Sequence, residues 1–177
     1  MQLRLAIPGD ADAIADLHTA SWRDAYRAAL RADWLANHAP ADRRALWRER
    51  LSEAPITRRI FIARDDARAL VGFVCLQPGA DASWGALLDN LHVVASHRCH
   101  GVGRQLMQAA ARACLADAPG AGLFLWMLRD NLRAQAFYRA LGATNAGPDI
   151  WDAPDGSRVP TCRFAWTEAG LAAMAAG

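Results

Sequence analysis

The amino-acid sequence predicts a single α+β domain in which helices flank a mixed, mostly antiparallel sheet of about seven strands. The length of 177 residues suits one compact domain, and a content of 53% hydrophobic and 21% charged residues allows a buried core. The hydrophobic patterns follow the order strand, two or three helices, three strands, helix, strand, helix, two strands. Because strands and helices do not simply alternate, this order argues against a doubly wound parallel sheet.

The first half of the chain combines short strands with a long helical region. Residues 2–6 alternate polar and apolar side chains, and Asp10 is placed to cap the helix that follows. A second helix is predicted over 22–35, and a third over 42–51 that Pro55 ends. Four arginines of the third helix are expected to face largely outward, namely Arg43, Arg44, Arg48 and Arg50. Further strands are predicted at 59–63, 69–76 and 86–94.

The second half contains a glycine-rich segment and the most apolar one. A helix is predicted over 101–117. Residues 123–127 are nearly all apolar, which is typical of a strand that is buried on both faces. The next helix, 131–141, ends at Gly142, where glycine suits the left-handed conformation.

The end of the chain predicts a hairpin and a tail. Residues 143–151 and 158–166 read as two strands that are joined through Asp155-Gly156. We assign residues 1–167 to the domain and expect the Ala/Gly-rich residues 168–177 to form a disordered tail.

The charge balance and the residue types exclude several classes of function. A net charge of +2 gives no general reason to bind nucleic acid or an anionic membrane. All 20 basic residues are Arg, which rules out a Walker A lysine, a Schiff-base lysine and a lysine general base. No run of about 18 apolar residues occurs, so no membrane span is predicted.

The cysteines indicate a reducing compartment. They are widely spaced and form no C-x-x-C pair. The start of the chain shows no signal-peptide pattern. We therefore expect a cytoplasmic protein without a metal site, with four reduced thiols at Cys75, Cys99, Cys114 and Cys162.

A glycine-rich turn between a strand and a helix carries the chemistry. Gly101-Val102-Gly103 opens the helix, where the first backbone N–H groups have no internal partner and the helix dipole is positive. Glycine at both positions lets an anion approach these groups, and Arg98 and Arg104 add positive charge. The turn predicts a phosphate site, although the same pattern also suits a plain tight connection.

Two motifs resemble those of the GNAT superfamily of acetyl-CoA-dependent N-acetyltransferases. Arg98-Cys99-His100-Gly101-Val102-Gly103 is similar to the family's pyrophosphate loop, in which Arg or Gln stands three residues before Gly and five before Gly or Ala. The second motif has the family's spacing at Asn131, Ala134, Phe137, Tyr138, Gly142 and Ala143. The motif likeness covers roughly residues 89–142, and the order of elements extends it over nearly the whole chain.

The resemblance implies that the chain binds acetyl-CoA and transfers the acetyl group to a primary amine by direct attack in a ternary complex. It places the cofactor on Val93, Val94, Arg98, Cys99, His100, Gly101, Val102, Gly103, Arg104, Asn131 and Phe137. It also places Tyr138 beside the sulfur as the general acid, since a phenol with a pKa near 10 can protonate a departing thiolate. The alternative is that Tyr138 packs in the core beside Phe137.

The base that takes the proton of the incoming ammonium is less clearly marked. In this family it is often a carboxylate on the strand before the pyrophosphate loop, but Leu87 and Leu88 occupy the register where Glu is expected. Asp89 is the nearest acid, and His92, with an ordinary pKa near 6.5, is a second candidate that would contact the substrate. Asp89 could equally be a strand-edge residue and His92 a packed histidine. A β-bulge in this strand would decide which side chains reach the cleft.

The acceptor amine is expected between the early helices and the loops near 79–84 and 149–158. Trp22 and Tyr26 lie one turn apart and either offer aromatic faces to a cation or pack in the core. Two further tryptophans are interpreted as core residues, Trp34 and Trp47. A pocket closed by Trp22 and Trp84 would suit a small-molecule acceptor, whereas an open groove would suit a peptide.

Two other functions fit parts of the pattern. A dinucleotide-binding oxidoreductase is excluded because Leu106 stands where G-x-G-x-x-G needs its third glycine, and the chain lacks a second alternating half. A non-catalytic CoA-binding sensor or interaction module on the same fold stays open, although Asn131 and Tyr138 argue against it. The oligomeric state is also open, a homodimer included.

Overall fold

Seven strands of the computed structural model, which describes residues 1–53 and 57–177, form one open sheet. Their bounds are β1 Gln2–Leu5, β2 Arg59–Arg64, β3 Leu70–Asp81, β4 Gly85–Val93, β5 Leu123–Leu128, β6 Thr144–Asp152 and β7 Arg158–Trp166. The strands are ordered β1-β2-β3-β4-β5-β7-β6, and every neighbouring pair is antiparallel except β4 and β5. The predicted α+β fold with a mixed, mostly antiparallel sheet is confirmed.

Helices cover both faces of the sheet. Their bounds are α1 Ala11–Ala25, α2 Ala32–Asn37, α3 Ala39–Ser52, α4 Val102–Asp117, α5 Leu132–Ala140 and α6 Glu168–Ala176. One face packs against α4 and α6 around Leu106 and Leu171, and the other against α1 and α3 around Trp47 and Phe73. The predicted helix end at Pro55 lies outside the described residues. In the described ranges, no helix has the length and apolar character needed to cross a membrane.

The predicted second helix at 22–35 is wrong, because Trp22 belongs to α1. Ile14, His18 and Trp22 follow one another at four-residue spacing and are all buried, so one continuous face carries α1 through to Ala25. The chain then turns before α2 begins at Ala32. Trp22 consequently lies near the C-terminal end of α1.

The arginines of α3 do not all face outward as predicted. Arg44 and Arg48 do, and each forms an ion pair of 3.0 Å with an aspartate of α1. Arg43 and Arg50 face inward, with side chains that are 12% and 13% exposed. They are seven residues apart, about two helical turns, and therefore share a face with Trp47.

Asp10 does not cap α1, because its carboxylate has stronger partners. It is 3% exposed and accepts hydrogen bonds from Arg4 at 2.7 Å, from the Ile7 N–H at 2.9 Å and from Arg64 at 2.9 Å. Burial alone would raise the pKa of Asp10, but the bonds from Arg4, Ile7 and Arg64 lower it to about 2. Asp10 thus ties β1 to β2.

The expected disorder after Trp166 is also corrected, because most of 168–177 forms α6. The Thr167 hydroxyl caps this helix by accepting a hydrogen bond from the Gly170 N–H at 3.2 Å. Leu171 and Met174 are buried in the core with α4. Two apolar residues three positions apart, on one face of the helix, are enough to dock this alanine-rich segment.

Candidate active site

β4 and β5 separate soon after they meet. Their parallel pairing covers two residue pairs, Ala86 with Leu123 and Leu87 with Phe124. β4 nevertheless continues to Val93 along β3, and β5 continues along β7. Within the described sheet, the edge of β4 that faces β5 therefore has free N–H and C=O groups beyond the two pairs. We call this opening the wedge; an extended ligand can bind such an edge as an added strand.

A β-bulge lies in β4 at the wedge. Cys75 of β3 pairs with Asn90, whereas the next residue, Leu76, pairs with Leu88. Asp89 is therefore the extra residue of the bulge. As a result, the adjacent residues Asp89 and Asn90 both line the cavity described below, which a regular strand would not allow.

Arg50 of α3 holds both of these residues. Its Nη2 lies 2.5 Å from Asp89 Oδ2, in an ion pair that is not an aligned hydrogen bond, and its Nη1 donates to Asn90 Oδ1 at 2.9 Å. Asp89 is thus fixed by a side chain from another element. The sequence also allowed Asp89 to be a strand-edge residue that hydrogen-bonds to the backbone. The structure shows the ion pair with Arg50 instead.

No side chain in the described part of the chain caps the N-terminus of α4. Gly101 is the N-cap residue with φ of 82°, and Cys99 has φ of 64°. A Cβ at Gly101 would meet nothing within 4 Å, so glycine suits this position for its backbone conformation and not for space. Left-handed residues in such a turn direct backbone N–H groups to one side, where the helix dipole adds positive potential.

Gly103 is required for a different reason from the one predicted. A Cβ there would lie 3.3 Å from Phe137 Cζ and 3.9 Å from Val93 Cγ2. Glycine therefore lets the first turn of α4 pack closely against α5 and β4. This contact places Val93, Gly103 and Phe137, all expected cofactor residues, next to one another.

Arg98 links the loop to β4 and α1. Its Nε donates to the Val93 carbonyl at 3.2 Å, and its Nη1 donates to Asp24 at 2.8 Å. The Val94 N–H donates to the Val71 carbonyl at 2.9 Å, on the β3 side. Arg98 is thus near the predicted phosphate site but is already paired with a carboxylate.

Cys99 and His100 each have a partner other than the adjacent residue. His100 Nδ1 lies 2.8 Å from the Arg98 carbonyl oxygen, and Cys99 Sγ lies 3.7 Å from Arg133 Nη2. Both are exposed, as is Arg104 in the first turn of α4. Any contribution of Cys99 and His100 to cofactor binding would come through their backbone.

The N-terminus of α5 is capped by Asn131. Its Oδ1 accepts a hydrogen bond from the Ala134 N–H at 3.1 Å, which leaves its amide nitrogen as a donor. Tyr138 lies further along α5 and is 8% exposed. Its ring centroid lies 5.8 Å from that of Trp166. Burial, with a smaller contribution from Tyr26, raises the pKa of Tyr138 above its ordinary value. The phenol is therefore protonated at neutral pH.

A cavity of about 500 Å³ lies between α1, α3, the wedge and β6. Its lining includes Trp22 of α1, Tyr26 just after α1, Arg43 and Arg50 of α3, and Asp89 and Asn90 of β4. Trp126 of β5 and Trp151 of β6 complete the aromatic walls. Of the two loop regions that were predicted, 149–158 contributes to the lining, whereas 79–84 does not.

Trp84 and Trp126 have positions that the sequence did not predict. Trp126 is 36% exposed, so β5 is not buried on both faces. Arg163 of β7 stacks between the two rings, with its Cζ 4.5 Å from the Trp84 centroid and 4.4 Å from the Trp126 centroid. Trp126 therefore takes the place at the cavity that was expected for Trp84.

Trp22 and Tyr26 line the cavity and also pack on each other, with ring centroids 5.0 Å apart. The Arg43 guanidinium lies 4.2 Å above the Trp22 ring, so a protein cation already occupies a face that was expected to receive the acceptor. Burial raises the pKa of Tyr26 to about 12. Trp34 and Trp47 are 8% and 0% exposed, which confirms them as core residues.

His92 packs behind the cavity and is not among its lining residues. Its ring lies 4.6 Å from that of His18, and burial, with Arg98 and Arg43 nearby, lowers the pKa of His92 to about 3. His18 Nδ1 accepts a hydrogen bond from Trp47 Nε1 at 2.9 Å, so its proton is on Nε2. Both histidines are neutral at neutral pH. The structure therefore places His92 away from the predicted substrate contact.

Sequence reasoning did not predict three prominent residues of the cavity wall, namely Arg43, Arg50 and Trp126. A signal existed for the arginines, because their spacing puts them on the face of α3 that carries Trp47. No signal existed for Trp126, since its position depends on where β5 diverges from β4. Within residues 1–53 and 57–177, no three His, Cys, Asp or Glu side chains are grouped to hold a metal ion.

Known proteins are similar to this chain in sequence and in fold. A family model described as the acetyltransferase (GNAT) family matches residues 13–143. The structure of nourseothricin acetyltransferase is 29% identical, with a TM-score of 0.56 and coverage of 66% of this chain and 68% of that chain. A search of curated proteins gave no match.

Two more distant structures match nearly the whole fold. The PaiA N-acetyltransferase from Thermoplasma acidophilum, solved in complex with coenzyme A, is 16% identical with a TM-score of 0.66 and coverage of 91% and 98%. A variant of the spermidine N-acetyltransferase SpeG from Vibrio cholerae is 17% identical, with a TM-score of 0.69 and coverage of 97% of each chain. At these identities the likeness shows the fold alone. Since the family match spans more than half of the sequence, the chain belongs to the acetyltransferase (GNAT) family and is an acyltransferase.

Proposed function

We propose that this protein transfers the acetyl group of acetyl-CoA to the primary amine of a small molecule. The observation that carries the proposal is the wedge, which lies between the uncapped start of α4 and the cavity. A ligand arm along the free edge of β4 would run from the α4 amides to the cavity. A volume of about 500 Å³ is in the range of small-molecule sites and favours such an acceptor over a peptide.

The residues around the wedge fit coenzyme A. The backbone amides of 101–104 suit a diphosphate, and Arg98 would add a charge after release from Asp24. Val93 and Val94 end the free edge of β4 where the pantetheine arm would lie. The Asn131 amide nitrogen has no hydrogen-bond partner among residues 1–53 and 57–177, and Phe137 closes the contact with Gly103. One relative was solved with coenzyme A bound, which supports this choice.

Acetyl-CoA supplies the acetyl group as a thioester. In the transfer, a C–N bond forms between the amine and the carbonyl carbon, and the C–S bond breaks. Backbone N–H groups of β4 around 91–93 stabilise the charge that develops on the carbonyl oxygen. The Tyr138 hydroxyl donates its proton to the sulfur as it leaves. The attacking nitrogen gives its second proton to solvent, and the phenolate is reprotonated from solvent.

Asp89 accepts the proton that the ammonium must lose before it attacks, either directly or through a water molecule. The bulge brings its carboxylate to the cavity, and Arg50 fixes its position at 2.5 Å. His92 is a weaker candidate, because a base with a pKa of about 3 holds a proton poorly at neutral pH. The names of two relatives, a spermidine N-acetyltransferase and a nourseothricin acetyltransferase, support transfer to an amine.

Tyr138→Phe tests the proposal. The substitution keeps the ring and its packing but removes the proton that the thiolate receives. We expect turnover, measured as thiol release from acetyl-CoA with a panel of primary amines, to fall by roughly ten- to ten-thousand-fold. Acetyl-CoA affinity, measured by calorimetric titration, should change little.

The unfolding temperature of the variant serves as the control for packing. An unchanged turnover would remove Tyr138 from the mechanism. Tight binding of acetyl-CoA by the unmodified protein without thiol release on any amine would contradict the proposed activity itself.

A further inference from the structure

Arg43 places a guanidinium on the cavity wall. Its side chain is 12% exposed, and stacking on Trp22 at 4.2 Å holds it in place. Nε and Nη2 both donate to Asp42, which is 42% exposed. Nη1 has no hydrogen-bond partner among the residues that the structure describes. The guanidinium is thus fixed along one edge and has free N–H groups on the other.

The neighbouring polar groups are also donors. Arg50 uses both Nη atoms on Asp89 and Asn90. Because the Asn90 oxygen accepts one of these bonds, the amide nitrogen of Asn90 is the atom left for a ligand. The Thr161 hydroxyl, in a residue that is 5% exposed, also lines the cavity without a partner in the described part of the chain. Arg43, Asn90 and Thr161 therefore each offer a donor to a ligand at this part of the wall.

The remaining carboxylates lie at the exposed rim of the cavity. Asp152 pairs with Arg158 at 3.4 Å, and the Asp149 carboxylate accepts a hydrogen bond from the Ile150 N–H at 2.8 Å. Both aspartates are exposed on β6, where water and salt screen their charges. Asp42 compensates part of the Arg43 charge, but the Arg43 side chain is 12% exposed, so a bond that its free N–H groups donate inside the cavity is screened much less.

We propose that the acceptor is an amine that also carries a carboxylate and an aromatic-sized apolar body, as an aromatic amino acid does. Arg43 binds the carboxylate, and Trp126, Trp151 and Tyr26 enclose the body. The inference rests on the proposed function, since it names the acceptor of the same site. A planar guanidinium with two free N–H groups suits a carboxylate, and its interaction with a second ammonium would be repulsive.

A matched set of amines tests the inference. L-phenylalanine, L-phenylalaninamide and 2-phenylethylamine share the ring and the primary amine, but only the first has a carboxylate. Putrescine serves as the diamine. The measurement is kcat/KM for thiol release from acetyl-CoA with the unmodified protein, Arg43→Gln and Arg44→Gln. Each amine is compared between proteins, so that its intrinsic reactivity cancels.

We expect Arg43→Gln to lower kcat/KM for L-phenylalanine by about 10- to 100-fold, the loss of a charge-assisted hydrogen bond. The value for 2-phenylethylamine should be nearly unchanged. Arg44→Gln, on the exposed face of the same helix, should affect neither amine. If Arg43→Gln loses its fold by circular dichroism, Arg43→Lys retains the charge without the planar fork and should show an intermediate loss for L-phenylalanine only.

Two results would overturn the inference and leave acetyl transfer intact. One is a kcat/KM for L-phenylalanine that is the same in Arg43→Gln as in the unmodified protein. The other is an equal loss on all amines in Arg43→Gln. A failure of the unmodified protein to release thiol with any amine, although acetyl-CoA binds, would contradict both this inference and the proposed function.

Discussion

Gly103 is the residue at which cofactor binding can be tested with the smallest change. Gly103→Glu would add a carboxylate beside the α4 amides and crowd Phe137, whose Cζ lies 3.3 Å from the position of a Cβ. We expect acetyl-CoA affinity to fall by about tenfold or more, since like charge opposes the diphosphate. Calorimetric titration measures the effect.

Gly103→Ala is the matched control, because it adds the Cβ without the charge. It should weaken binding less than Gly103→Glu does. If Gly103→Glu binds acetyl-CoA as tightly as the unmodified protein, the loop does not hold the diphosphate.

At the scale of single residues, the sequence predicted those whose role depends on local spacing. Gly101 has the positive φ that the turn needs, and Gly142 has φ of 87° as predicted. The sequence did not predict the environments of Arg43 and Asp89. The environment of Arg43 depends on which face α3 turns to the sheet, and that of Asp89 on a bulge whose position is set by the register with β3. Neither is encoded in a short motif.

The closed end of the wedge depends on two glycines where β4 and β5 begin. A Cβ at Gly85 would overlap the backbone of Gly122, and Gly85 also has φ of 85°. We expect Gly85→Ala to lower the free energy of unfolding by about 3 kcal/mol, from backbone overlap and left-handed strain together. Urea denaturation measures the loss.

Gly79→Ala separates the two causes of that loss. Gly79 also has a positive φ, 60°, but a Cβ there would meet nothing within 4 Å. It should therefore show only the conformational cost, about 1 kcal/mol. Equal losses in the two variants would mean that close approach of β4 and β5 does not matter.

At the scale of elements, hydrophobic periodicity was sufficient for the strands and for the helices of the motif region. It failed where packing overrides local signals. The turn after Ala25 was missed because alanine and arginine continue a helical pattern through 26–31. α6 was missed because its composition suggested disorder, whereas Leu171 and Met174 dock it on the core. Separation of β4 and β5 has no sequence signature, because it arises from pairing across the sheet.

Asp10 contributes to the stability of the whole fold in a pH-dependent way. The pKa of Asp10 is about 2 in the folded protein and 3.8 in the unfolded chain, so the folded state binds fewer protons. The contribution, about 2 kcal/mol, is therefore complete above pH 4 and is lost as the pH falls toward 2. Asp10→Asn should lower the free energy of unfolding by this amount at pH 7, and the difference from the unmodified protein should shrink in acid.

Asp12→Asn is the control for this prediction, since Asp12 is 61% exposed and pairs with Arg48 on the surface. It should change stability little at any pH, because water and salt screen an exposed ion pair. Acid also destabilises the fold through His18 and His92, because burial lowers the pKa of each imidazole. Both histidines are present in Asp10→Asn and in the unmodified protein, so their effect cancels when the two are compared. A pH-independent difference for Asp10→Asn would contradict the account of its ion pairs.

The measurement that tests the central claim most directly is a crystal structure of the protein with coenzyme A. We predict the diphosphate on the backbone amides of 101–104, the pantetheine arm along the free edge of β4, and the sulfur within hydrogen-bonding distance of the Tyr138 hydroxyl. Coenzyme A bound outside the wedge, or with its sulfur remote from both Tyr138 and the cavity, would contradict the account.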